Sequence, residues 1–440
     1  MRAIRLSLKD AGLLLLALAA ACSMCLYWSR IVVEAPSHFE FSAELKPKAL
    51  GDLYPRWYGA RELLLHHRDP YGDAVSREIQ IAYYGKELDP SRPEDRLDQQ
   101  RFAYPLYFVF FIAPLVGMEF HSAQLVFWWV LAVCAVLSLV LWQSFLRLRL
   151  TPVALAVLFL LCLSSIPVLQ SLSIRQPFLL TACLIAAAAA TLVSGRLFLA
   201  GILLALATIK PQVCLLPIGW FAMWVFSDWA QRRSLFWGFT TALAALTLAA
   251  EGLQPGWVIA YPKALSAYAA YTKTTSLLAV LLSPAWAWSV TALMLFTAVR
   301  FGWQSRRQPA SSGAFAVSLA FALTLTPLVV PAVIPPFNHV LILPVILLAI
   351  RYWKQLEHGK SLLRLLCVVL CCIASLPWLF AAVVTLGLLK PLAWILGAWF
   401  WPLNASLALP FAAFAILLPL RGIVSPRPGF PTEAIIPSRT

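Results

Sequence analysis

Charge is scarce in this chain of 440 residues: 12% are Asp, Glu, Lys or Arg, and 61% are apolar. An ordinary soluble domain carries about 25% charged residues, so too little charge is present to clothe a soluble fold. Runs of about 20 nearly uncharged residues recur along most of the length, each long enough to cross a bilayer as a helix. The ten-residue alternation of a barrel strand is lacking, which leaves helices as the spanning element. Carboxylates are scarcer still outside one stretch: Trp28 to Arg101 holds 13 of the 19, with 11 of the 34 Lys and Arg. Cysteines in a disulfide or zinc pattern are also lacking. All nine lie in apolar segments and none in the polar stretch. The composition fixes an all-α polytopic membrane protein.

The net charge of +15 comes from short clusters between apolar runs: Arg2, Arg5 and Lys9; Arg147 and Arg149; Arg232 and Arg233; Arg300, Arg306 and Arg307; Arg351 and Lys354; Arg421 and Arg427. That distribution fits cytoplasmic loops and excludes nucleic acid as a partner. Ala20-Ala21-Cys22 faintly resembles a lipoprotein cleavage site, but an uncleaved first helix is the simpler reading. With the basic N-terminus inside, 1–27 forms that terminus and the first helix, and 28–101 is a large outer loop. Residues 102–420 form the helix bundle and 421–440 a cytoplasmic tail. Tyr104 to Val116, short and holding Pro105 and Pro114, is read as re-entrant, because a full span would place Arg147, Arg149 and Arg196 outside. Leu197 to Ile209 and Val213 to Phe226 are expected as two short helices broken at Lys210-Pro211. About twelve crossings result, with both ends cytoplasmic.

This layout brings Asp52, Gln176, Lys210, Glu251 and His339 to the outer ends of their helices or loops. Ionisable groups at membrane depth are costly, and five on one side favour a site. Trp57, Ala60 and Leu64, and Tyr54, Tyr58, Arg61 and Leu65, recur at helical spacing, so the stretch that begins at Asp52 predicts an amphipathic helix at the interface. Asp52 at its start reads either as a helix cap or as a general base at the membrane surface, with Arg56 and Arg61 facing a lipid phosphate. His66-His67 makes a poor metal pair, since adjacent helical residues diverge by about 100°. Asp69-Pro70-Tyr71 predicts a closing turn.

The stretch Asp52-Leu53…Tyr58…Ala60…Leu64…Asp69-Pro70-Tyr71 resembles the first outer loop of glycosyltransferase family 87, the polyprenyl-phosphate-mannose-dependent mannosyltransferases of the GT-C superfamily. Later pieces follow in order. Tyr104-Pro105-Leu106 stands where the family has Tyr-Pro-Pro-Leu, and Arg175-Gln176 where it has Gly-Gln. Gly195-Arg196…Ala200-Gly201…Lys210-Pro211 matches Gly-Arg…Ala-Gly…Lys-Pro, and His339 a histidine after the ninth span. The likeness covers most of residues 1 to 350. The glycine missing before Gln176 and the single proline at Pro105 mark a divergent member.

The resemblance implies a GT-C-type fold of about twelve transmembrane helices, with amphipathic helices in the large first loop. It implies transfer of a sugar, a hexose such as mannose, from a polyprenyl-phosphate donor to a hydroxyl on a glycan or glycolipid acceptor, at the outer face of a bacterial inner membrane. Asp52 would be the base, Lys210 with Arg56 or Arg61 the phosphate clamp, and Gln176 and His339 contacts to sugar or phosphate. A single displacement predicts inversion at the anomeric carbon, with no cofactor and no metal. A flippase or other transporter would show internal repeats and midplane charges, and an O-antigen ligase or polymerase a large loop late in the chain.

Overall fold

The computed structural model describes residues 7–33, 50–89, 92, 95, 99–272, 275–331, 333–357, 361–387 and 401–424. Arg2, Arg5, Arg427, the start of the last apolar region and most of the tail lie outside the described residues. Among the described residues every regular element is helical. Ser7 caps α1 (Leu8–Tyr27), accepting the Asp10 amide at 3.1 Å, and a π turn, Trp28–Val32, extends the helix. Six stretches are long and apolar enough to cross a bilayer: Leu8–Val32, α5 (Phe120–Phe145), α11 (Trp229–Leu253), α14 (Pro284–Ser305), Val368–Thr385 within α18 (Ser361–Thr385), and Trp401–Val424. The last holds α19 (Trp401–Leu407) and α20 (Leu409–Val424). A seventh arises if α6 (Pro152–Leu163) and α7 (Ile166–Ser173), bent by 50°, make one broken span.

The expected twelve crossings are therefore matched only in part. The remaining apolar segments form short helices: α8 (Phe178–Val193), α9 (Leu197–Ala207), α10 (Pro211–Phe226), α15 (Gly313–Val329), and a 3-10 turn, Pro336–Ile342, running into α16 (Leu343–Arg351). Sixteen helical residues rise about 24 Å, short of the roughly 30 Å hydrocarbon core. Proline sets several of these limits, since Pro177 precedes α8, Pro211 opens α10 and Pro335 precedes the 3-10 turn. Shielding replaces length. Every residue of α15 from Ala314 to Leu328 is buried, as expected of a helix hydrophobic on all sides. It packs against α10, α14 and α20, and the Ser305 and Ser318 hydroxyls meet at 2.5 Å across the α14 contact.

The α9–α10 break falls where the Lys-Pro step places it. A close helix crossing fixes its near side. At Gly201 on α9 a Cβ would lie 2.2 Å from the Leu235 carbonyl oxygen of α11, and at Gly238 on α11 it would lie 2.1 Å from that of Phe198. Such backbone contact needs small residues. Gly201→Val should remove most of the monodisperse protein recovered in detergent, whereas Gly219→Ala on α10, with nothing within 4 Å of the added carbon, should be tolerated or mildly stabilising. Size-exclusion profiles of the two variants check this. At the basic end, buried Arg232 donates to the carbonyls of Trp224, Arg306 and Arg307, tying α10 and α11 to the α14–α15 connection.

Over the opposite side of this framework lies the polar segment. It contains α2 (Leu53–His66) and α3 (Asp73–Tyr84), followed by a broken apolar stretch, Leu106–Leu115, with α4 (Val109–Ile112) between two 3-10 turns. That stretch is buried beneath α2, where the Trp57 indole donates to the Leu115 carbonyl at 2.9 Å. The expected interfacial helix is thus more enclosed than its spacing implies. Leu53, Trp57, Ala60 and Leu63 are all buried, Leu65 faces outward, and even Glu62 is buried. Arg68 makes this possible by donating to Glu62 at 2.7 Å and to Glu78 of α3 at 2.6 Å. The Arg68 hydrogen bonds, aided by the Tyr58 hydroxyl, hold the Glu78 carboxyl below its ordinary range. The turn at Asp69 forms as expected, its Oδ1 accepting the Tyr71 amide at 2.9 Å.

Candidate functional site

Gly51 and Asp52 touch the loop that joins α7 to α8. Gly51 has φ +61°, and a Cβ there would meet the Ile174 carbonyl oxygen at 2.7 Å. Glycine satisfies both demands at once. The Asp52 amide donates to the same carbonyl at 2.7 Å. Asp52 occupies the N-terminal position of α2, yet its side chain makes no capping bond. Its Oδ2 instead accepts from Nε2 of Gln176. The capping interpretation of Asp52 is displaced by a contact to a residue 124 positions away in sequence.

Gln176 follows Arg175, whose φ is +54°. An L side chain in this left-handed region costs roughly 1–2 kcal/mol. The family glycine would carry no such cost, so the departure at Arg175 has a physical meaning: the loop needs this backbone turn to aim Gln176. The Gln176 amide is fixed at both ends, because its Oε1 accepts from the Tyr104 hydroxyl at 2.9 Å. Tyr104 is held in turn by the Tyr71 hydroxyl, which donates to its carbonyl at 2.7 Å. Arg56, one turn beyond Asp52, reaches back to the Asp52 carbonyl at 2.6 Å and lies over the Tyr104 ring, 4.8 Å from its centroid.

Lys210 enters from the α9–α10 break. Only 5% exposed, it lacks the open path to solvent of a snorkelling lysine. Its Nζ stands 5.2 Å from the Phe178 ring centroid and 4.7 Å from that of Phe337, within electrostatic reach of Asp52 and Arg56. Tyr107 braces the break, its hydroxyl donating to the Thr208 carbonyl at 3.0 Å. The 3-10 turn bearing Phe337 is anchored by Gln170, whose Oε1 accepts the Phe337 amide at 2.9 Å.

His339 lies in the same turn and is 1% exposed. Its Nδ1 is 3.1 Å from the Ser406 carbonyl oxygen, which can only accept, so Nδ1 carries the hydrogen. Nε2 is buried and has no hydrogen-bond partner among the described residues. Two expected members stand apart. Arg61 lies nine residues from Asp52, about 13 Å along a helix, and covers the Trp57 ring at 5.2 Å. Glu251 accepts the Gly256 amide at 2.5 Å and closes the α11–α12 turn before α12 (Trp257–Thr272).

The group that does assemble contains one carboxylate, two cations and a bridging amide, bordered by aromatic rings. Sequence reasoning quoted Tyr104 as part of a motif but gave it no task. Its signal was a hydroxyl at the mouth of an uncharged stretch, where a buried Tyr needs a partner. Compared with known proteins, residues 102–375 match the model of Glycosyltransferase family 87. Gln176, Lys210, His339 and Tyr104 fall inside the matched region, while Asp52, Arg56 and Arg61 precede it. No curated protein and no solved structure matches the chain.

Proposed function

Because this chain belongs to glycosyltransferase family 87 and is a membrane glycosyltransferase, we propose that it moves a hexose such as mannose from a polyprenyl phosphate to an acceptor hydroxyl, with inversion. The observation that carries this reading is the convergence of Asp52, Gln176, Arg56 and Lys210 from α2, the α7–α8 loop and the α9–α10 break. In this reading the acceptor oxygen attacks the anomeric carbon as Asp52 takes the hydroxyl proton. The bond from that carbon to the phosphate oxygen breaks, and its electron pair leaves on the phosphate. Lys210 and Arg56 meet the charge that develops there. One displacement inverts the anomeric centre.

His339 belongs on the sugar side. With Nδ1 donating to Ser406, a neutral imidazole offers Nε2 as a bare acceptor, suited to a sugar hydroxyl. Arg61 is the weakest member of the clamp on geometry. The acceptor is a glycan or glycolipid, and the reaction takes place at the outer face of the bacterial inner membrane, a side supported by the basic clusters at the other end of the bundle.

The test supplies membranes of a deletion strain carrying the chain with polyprenyl phosphates bearing tritiated mannose, glucose or galactose. At least one should pass label into endogenous glycans or glycolipids, and the matching nucleotide sugar should not do so once polyprenyl-phosphate sugar synthesis is blocked. Transfer that persists from the nucleotide sugar under that block would overturn the donor class.

A further inference from the structure

We propose that Tyr104 is a positioning residue that acts on Asp52 through Gln176, setting which end of the Gln176 amide faces the carboxylate. The inference rests on the reading of Asp52 as the base. An amide wedged between a phenol and a carboxyl group can be seated in two ways. With its nitrogen toward Asp52 it supports an ionised carboxylate, which only accepts. With its oxygen toward Asp52 it demands a protonated acid, which could take no proton from an acceptor.

The surroundings choose between them. The Arg56 guanidinium, lying over the Tyr104 ring, has N–H groups and no acceptor. A hydroxyl next to it turns its lone pairs that way and its hydrogen elsewhere, and the Gln176 Oε1 is 2.9 Å off. Tyr104 therefore claims the amide oxygen, and the amide N–H is left for Asp52 Oδ2. Burial keeps the arrangement stiff: Tyr104 is 5% exposed and Gln176 3%. Backbone contacts at both ends fix the spacing, through Tyr71 to the Tyr104 carbonyl and through Asp52 to that of Ile174. The charged groups within reach of Asp52 are Arg56 on its own helix and Lys210 from the α9–α10 break. Among the described residues the Gln176 amide bonds to Tyr104 and to Asp52, while Arg56 donates to the Asp52 carbonyl, so the hydroxyl and not a cation holds the amide oxygen.

Tyr104→Phe removes the hydroxyl and keeps the ring under Arg56 and against Phe108. The assay uses the parent protein's own polyprenyl-phosphate hexose in membranes. We expect kcat to fall about tenfold with donor KM within about twofold, and an unchanged melting point in detergent. Gln176→Met should lose at least as much. The deciding measurement is the pair: Tyr104→Phe placed in the Gln176→Met background should cost nothing further. Losses that multiply would overturn the route through Gln176, as would a Tyr104→Phe enzyme turning over at the parent rate. Asp52→Asn runs alongside. If it is inactive while the pair multiplies, only the Tyr104 route falls; if it remains active, the base and the route fall together.

Discussion

Asp52→Asn should fold, bind donor and turn over at least ~10²-fold more slowly than the parent, the usual scale for loss of a general base. The substitution suits the question because the geometry leaves little else for it to disturb. No capping bond exists to be lost, since the Asp52 side chain points at Gln176 instead of at the first turn of α2. The Asn carbonyl oxygen can still accept from Nε2 of Gln176, and the backbone bond to Ile174 does not depend on the side chain. The carboxylate charge goes, both as proton acceptor and as counter-charge to Lys210. Single-turnover transfer from polyprenyl-phosphate hexose measures the chemical step, and donor titration by intrinsic tryptophan quenching measures binding. A rate within about twofold of the parent would exclude Asp52 from the mechanism. Glu251 and Asp69 would be poor replacements, being engaged at the Gly256 and Tyr71 amides, so attention would pass first to His339.

The helical class was legible from composition, and the Lys210-Pro211 break from the proline, because each rests on a local rule of chain chemistry. The crossing count was harder to read. Hydropathy reports apolarity, whereas span length depends on where prolines and packing stop each helix, and α8, α9 and α15 stop early. At the site, Asp52, Gln176 and Lys210 were selected from their shared placement at one end of the bundle, and the fold joins them. Glu251 shared that placement and took a local turn instead, since the Gly256 amide five residues on is nearer than any distant partner. Helical periodicity put Arg61 on the face of Tyr54 and Tyr58 but held no information on how far it stands from Asp52. Trp57, Ala60 and Leu64 recur at helical spacing, yet Leu63, off that row, is buried while Leu64 is half-buried. A helix covered from several directions has no single apolar stripe for periodicity to find. The strain at Arg175 was visible only as an unexplained departure until the loop showed its positive φ.

Lys210→Met should raise the donor KM by ~10- to 100-fold, corresponding to the ~1.5–3 kcal/mol of a hydrogen bond to a charged group. It should do so without loss of stability. A buried ammonium among Phe178, Phe337 and the apolar ends of α9 and α10 costs solvation in the resting protein, and a methionine of similar length removes that cost. A lysine serving the fold would give the opposite pattern, with a lower melting point and an unchanged KM. The two explanations thus differ in sign on one measurement and in presence on the other. Arg56→Met offers the internal comparison, because Arg56 also bonds the Asp52 carbonyl and covers Tyr104. It should lower kcat as well as weaken donor binding, having two tasks where Lys210 has one. Free polyprenyl phosphate, lacking the sugar, separates the contacts further. If Lys210 meets the phosphate, product inhibition by this lipid should weaken in Lys210→Met by about the same factor as the donor KM rises. Inhibition that stays at the parent level while KM rises would move Lys210 from the phosphate to the sugar.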